Sequence, residues 1–224
     1  MDSFRELRER FRPLYDAVKD LHQKSPLAHR GHGFDHDVTV AALAVRIAPD
    51  QRTAEKAFAA ALLHSIDRMM AKASKGEIDT CMRVCLARLP DGTFNMDEID
   101  EIVEAALRHG ELNQDDQSLT QQVLMDADRL ANMMPSVIIR SGQFRPDIPP
   151  FEFKYLNNKA NPASTYHDPI SVLDDLRITL RDYMPQFRID KAKKLAKTYA
   201  FRLRTFVRAV ELTNLEIGLV GIEL

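Results

Sequence analysis

Three observations predict an all-α protein. Apolar residues recur at steps of three and four along almost every segment. Prolines and glycines punctuate those segments where helices stop. No stretch alternates apolar and polar residues convincingly in the manner of a half-buried strand, and no repeat or heptad run is long enough for a solenoid or coiled coil.

Each element follows from its own pattern. Phe4, Leu7, Phe11, Leu14, Val18 and Leu21 form an amphipathic stripe, with Pro13 ending or kinking the helix near Arg12. Asp37 to Ile47 predicts a second helix, stopped by Pro49. Thr53 to about Lys72 predicts a third, apolar on nearly all sides from Ala57 to Leu63 and so the central core helix. Cys81–Leu89 and Asp97–His109 follow, the latter with Gly110 placed to terminate it. Ser118-Leu119-Thr120-Gln121 is a capping box opening a helix to about Met133. Residues Ser141 to Pro169, rich in proline and asparagine, predict a long loop. Ile170–Met184 and Asp190 to about Leu215 predict a C-terminal helical pair. The reading is of one domain over residues 1–224: an N-terminal helix (1–24), a motif-bearing core (25–135), the Pro-rich loop (141–169) and the helical pair (170–215).

Composition narrows the function classes. At 224 residues, 45% apolar and 29% charged, the chain is an ordinary globule rather than a disordered one. A net charge of −2 advertises neither a nucleic-acid partner nor an anionic membrane surface. No apolar run is long enough to span a bilayer, and Met1–Glu6 lacks a signal-peptide pattern, so the expected location is cytoplasmic. Cys81 and Cys85 are four apart, which is not zinc or redox spacing, and read as thiols on one helix face.

The histidines carry the chemical signal. His29, His32 and His36 crowd a glycine-containing segment that leads into a helix. His64 sits in the most apolar helix, where it must be hydrogen-bonded, buried neutral or bound to a metal. His109 ends a helix, and Asp126 and Asp128 lie inside an apolar pattern and need partners. His22 and His167 read as surface residues. Histidines and carboxylates from several helices can converge in a bundle core, which is how helical proteins build metal sites.

Gly33-Phe34-Asp35-His36, Leu62-Leu63-His64-Ser65-Ile66-Asp67 and Asp126-Ala127-Asp128-Arg129-Leu130, in that order, resemble the HD-domain metal-dependent phosphohydrolases. The small stand-alone bacterial HD proteins are most similar, over roughly residues 20 to 215. The resemblance implies a single HD-like helical bundle. It implies a divalent metal ion (Mn, Fe, Ni, Zn or Mg) held by His36, His64 and Asp128, with Asp126 as the alternative to Asp128. The resemblance implies His109 as a second-metal ligand or a phosphate contact, and metal chemistry at such a site makes His109 or Asp67 the candidate to move a proton. Arg68, Arg129, Lys154, Lys159 and His32 are candidates to hold a phosphate ester or nucleotide substrate. No nucleic-acid or membrane partner is implied, and a homo-oligomer is left open.

The sequence departs from the family pattern at Ser65, where the family has the Asp of its His-Asp pair, and at Ala131, where similar proteins often have a second Asp. A serine hydroxyl is a poor ligand for a hard divalent cation. At about 100° per helical residue, Asp67 points away from the direction position 65 would take, and cannot simply replace it. The departure therefore predicts a weakened, mononuclear or empty metal site. Two readings stay open: a phosphohydrolase, or a catalytically degenerate HD-fold binding or regulatory protein.

Overall fold

A computed structural model describes residues 1–25, 33–157 and 159–222. The elements are α1 (Phe4–Arg10), α2 (Arg12–Lys24), α3 (Phe34–Ile47), α4 (Gln51–Leu63), α5 (Ile66–Met69), α6 (Lys75–Leu86), α7 (Met96–Leu107), α8 (Leu119–Ala131), α9 (Ser136–Phe144), α10 (Val172–Tyr183) and α11 (Asp190–Glu216). No strand occurs among the described residues, so the protein is all-α. No described helix is long and apolar enough to cross a membrane.

The chain falls into two compact units. The first comprises Met1–Ala131 with Arg188–Ala192; the second comprises Asn132–Phe187 with Lys193–Leu224.

In the first unit α3 packs against α4 and α8, and α4 also meets α7 and α8. This centre is apolar because α4 has almost no polar face: Ala54, Ala57 and the run Phe58–Leu63 are fully buried. Small alanines let the neighbouring helices approach closely, and Phe58 fills the space beneath Phe11, their ring centroids 5.7 Å apart. Each such fully buried aromatic contributes on the order of 2–3 kcal/mol of burial. The helix ends are capped where the sequence provides a donor or acceptor. Ser3, Ser74 and Asn95 each form a reciprocal capping box with the glutamate three residues on. Asp50 caps α4, and Ser118 accepts from the Gln121 N–H at the start of α8.

The second unit holds α9, α10, most of α11 and a 3₁₀ turn at Phe153–Tyr155. Its buried charges pair with one another: Arg177 reaches Glu211 Oε1 at 2.6 Å and donates to the carbonyls of Tyr155 and Lys159. Asp174 accepts from the Ser164 hydroxyl and the Asn161 N–H.

Several sequence expectations are corrected. Pro13 does not merely kink one helix: it sits in the first turn of α2, where its missing N–H is harmless. The expected third helix does not run to Lys72. It ends at Leu63, turns through His64 and Ser65, and resumes as the single turn α5. Gly110 is not a left-handed terminator; α7 stops at Leu107. The start of the expected Pro-rich loop is helical, because α9 extends through Phe144. Cys85 is buried beside Cys81, and burial pushes its thiol up to about 12, as suits an unreactive packing residue.

Candidate metal centre

All of the residues that converge here belong to the first unit. His36 and Asp37 come from the first turns of α3, His64 and Ser65 from the turn that ends α4, His109 from just beyond α7, Asp128 from α8 and His22 from α2.

His64 is fixed by its own helix end. At a helix C-terminus the last carbonyls have no intrahelical donor. His64 folds back so that its Nδ1–H donates to the Ala61 carbonyl at 2.6 Å. The remaining nitrogen, Nε2, points to the Nε2 of His36 at 3.3 Å. His109 uses the same device, its Nδ1–H donating to Ala106 O at 2.7 Å. Its ring stands edge-on to that of His64, with centroids 5.0 Å apart. Two helix C-termini, each with partial negative charge, thus end at this point.

Asp128 closes the group. Its Oδ1 is 3.1 Å from His36 Nε2, and one ligand atom from each of His36, His64 and Asp128 lies within 4.8 Å of the others. The two imidazoles are buried, whereas the Asp128 side chain keeps 20% of its surface exposed, so solvent reaches the group from the carboxylate side. Burial pushes the His64 imidazole down to about 4, against the opposing pull of Asp37. His64 is therefore neutral near pH 7, the form that binds metals. Burial alone would raise Asp128, but the hydrogen bond to His36 and the nearby His36, His64 and His109 rings together outweigh it and hold this carboxyl well below its usual value.

The donor set fits a divalent ion. Two imidazoles, one of them held by the end of its own helix, and one carboxylate are the ligand types that borderline transition metals prefer. Three protein donors leave further coordination positions for water or substrate.

The other expected site residues are placed as follows. Asp126 points away from the group. It is fully buried, and its Oδ2 accepts from the backbone N–H groups of Arg188 and Ile189 at 2.8 and 2.7 Å, while Arg129 approaches its Oδ1 at 3.4 Å. Positions 126 and 128 lie about 200° apart around a helix, so only one can face a given site. Burial raises the Asp126 carboxyl, tempered by those two N–H groups. Asp67 accepts from the Arg68 N–H and is not gathered with His36, His64 and Asp128, and Arg68 is exposed. Lys154 and Lys159 are exposed residues of the second unit. His32 lies outside the described residues, as does His29. His167 is exposed, as expected.

Two participants escaped the sequence reading. His22 is buried, not a surface residue, and its Nε2–H donates to Asp37 Oδ2 at 2.7 Å. Asp37 is fully buried, and its Oδ1 accepts the Ser65 hydroxyl at 2.6 Å and lies 3.6 Å from His64 Nδ1. Both positions continue apolar stripes: Leu14, Val18 and His22 on α2, and Asp37, Val40, Ala41 and Ala44 on α3. That inward register was the available signal. Ser65 thus turns its hydroxyl to Asp37.

Comparison with known proteins agrees with this architecture. Residues 33–133 match the family model described as HD domain. No curated protein matches the chain. Among solved structures, a protein from Lactobacillus plantarum superposes with a TM-score of 0.65 at 23% identity, covering 89% of this chain and 96% of its own. Bacillus subtilis YpgQ, solved in complex with ADP, gives a TM-score of 0.62 at 18% identity, with 91% and 96% covered. Listeria innocua Lin1889 gives 0.63 at 16%, with 90% and 95% covered. These likenesses establish a shared fold.

Proposed function

From the match of residues 33–133 to the HD domain family model, we propose that this protein is a metal-dependent phosphohydrolase with a mononuclear site, acting on a nucleotide or another small phosphate ester in the cytoplasm. The observation that carries the reading is the convergence of His36, His64 and Asp128 through their ligand atoms within 4.8 Å. The ADP bound by YpgQ makes nucleoside diphosphates the first substrate class to test.

In this reading His36 and His64 present their Nε2 atoms and Asp128 supplies the anionic ligand. A divalent ion held by these three residues would lower the pKa of a bound water and would polarise a phosphoryl oxygen. The chain supplies the rest. The Ala61 carbonyl and the burial of His64 keep that imidazole neutral and oriented, so protons do not compete for it near pH 7. His109, its Nδ1 occupied by Ala106, offers Nε2 as the group that takes or returns a proton beside the site. Asp67 is left out of that role because its carboxylate serves the Arg68 N–H. Arg68, exposed four residues beyond His64, is a candidate cation to hold a phosphate, whereas Arg129 is buried against Asp126.

The metal reading is tested by elemental analysis of the purified chain, with His64→Ala as control. About one equivalent of metal, lost in the control, is expected. A screen of nucleoside diphosphates and phosphate esters then tests the catalytic reading. Ser65 favours one alternative, a non-catalytic HD-fold binding or regulatory protein, because position 65 contributes a hydroxyl to Asp37 instead of an acid to the metal. A protein that stays metal-free after loading with Mn²⁺ would select that alternative.

A further inference from the structure

The buried corner behind His64 has its own logic, separate from the three ligand residues. Asp37 is fully buried, so its carboxylate must be matched by donors or it would be strongly destabilising. It has two of them. The His22 ring donates to Oδ2 at 2.7 Å and the Ser65 hydroxyl donates to Oδ1 at 2.6 Å. Ser65 stands at the residue before α5, where serine normally caps the helix with its side chain. Here no such cap forms and the hydroxyl goes to Asp37 instead. The adjacent His64 Nδ1 lies 3.6 Å from the same Oδ1, too long for a hydrogen bond but close enough for the charge to act on the ring.

We propose that Asp37 is the positioning residue of this centre and that Ser65 is its required donor. The corner accommodates one buried carboxylate. In this chain it is at position 37, and an acid at position 65 is tolerated only when position 37 is neutral. The serine that departs from the HD pattern is then one half of a matched pair. An aspartate at position 65 would replace the hydroxyl donor of this buried corner with a second acceptor carboxylate facing Oδ1, leaving Asp37 without that donor. The role of Asp37 as a positioning residue rests on the metal reading of the site. The matching of positions 37 and 65 does not.

The test uses the full chain as wild type, Ser65→Asp, Asp37→Asn and the double variant, each melted in metal-free buffer and titrated with Mn²⁺. The carboxamide introduced by Asp37→Asn keeps an oxygen for the Ser65 hydroxyl while removing the charge. Ser65→Asp is expected to lower the melting temperature by on the order of 10 °C, and the double variant to recover at least half of that loss. Asp37→Asn alone is expected to melt within a few degrees of wild type yet to bind Mn²⁺ roughly tenfold more weakly, a change in affinity that a purely structural residue would not produce. A Ser65→Asp protein as stable as wild type, or a double variant no more stable than Ser65→Asp, would overturn the matched pair. An Asp37→Asn protein that binds Mn²⁺ as tightly as wild type would overturn the positioning role. Wild type that binds no Mn²⁺ would overturn the metal reading and that role with it, while the melting temperatures still decide the pair.

Discussion

One buried cluster in each unit gathers its polar atoms in a different way. In the second, donors meet acceptors: Arg177 satisfies Glu211 and two carbonyls, and Asp174 takes a hydroxyl and an amide. In the first, two imidazole Nε2 atoms and a carboxylate oxygen, all potential electron-pair donors, are brought together. In the ion cluster the two terminal guanidinium nitrogens of Arg177 meet acceptors, and the contacts add structure. The gathered lone pairs suit a cation supplied from outside. Burial of charge therefore says little about function until the kinds of atoms that meet are known.

That contrast can be broken by mutation. Asp128→Asn removes the anionic ligand and should abolish phosphohydrolysis, with Mn²⁺ affinity falling more than about 100-fold, since even residues behind the ligands are worth about 10–100-fold. Isothermal titration and a phosphate-release assay check this, and the melting temperature should move little. Arg177→Ala should do the reverse. Leaving Glu211 and Asp174 without this guanidinium should reduce folding stability by about 3 kcal/mol in urea, with metal affinity unchanged.

The pH response should also separate the two. His64 has a pKa of about 4 in the folded protein against an ordinary 6.5. As pH falls below about 6.5 the unfolded chain takes up a proton that the native state refuses. Stability of the metal-free protein is thus full above about pH 6.5 and declines toward pH 4, by on the order of 3 kcal/mol. Urea midpoints across that range measure it, and His64→Gln should flatten the slope. Asp126→Ala should cost about 2 kcal/mol, by leaving the Arg188 and Ile189 N–H groups unpaired, while leaving metal affinity within twofold. An equal loss of metal binding there would move the ligand assignment to Asp126.

Much of this was legible in the chain and some was not, for physical reasons. Helical periodicity exposes apolar faces, so the central placement of α4 could be read directly from Ala57 to Leu63. The order of His36, His64 and Asp128 carried the family resemblance, and the structure brings these three together. Periodicity does not reveal that a helix stops in mid-stripe. The break at His64–Ser65 follows directly on the helix-favouring run Ala57–Leu63, and the ring folding back on Ala61 and the Ser65 hydroxyl turned to Asp37 mark it. Asp37 went unread because an acid in a first turn ordinarily complements the helix dipole at the surface. Its burial depends on His22 and Ser65, neighbours that are distant in sequence.

The folding back of His64 and His109 onto Ala61 and Ala106 has a consequence for how this centre withstands sequence drift. In both cases the group that sets which ring nitrogen carries hydrogen is a peptide carbonyl, which any residue at position 61 or 106 supplies. Substitution of those neighbours can change packing but does not remove the acceptor. Ring orientation is thereby inherited with the backbone path, while the contact between Asp37 and Ser65 is made by side chains and changes when either is substituted.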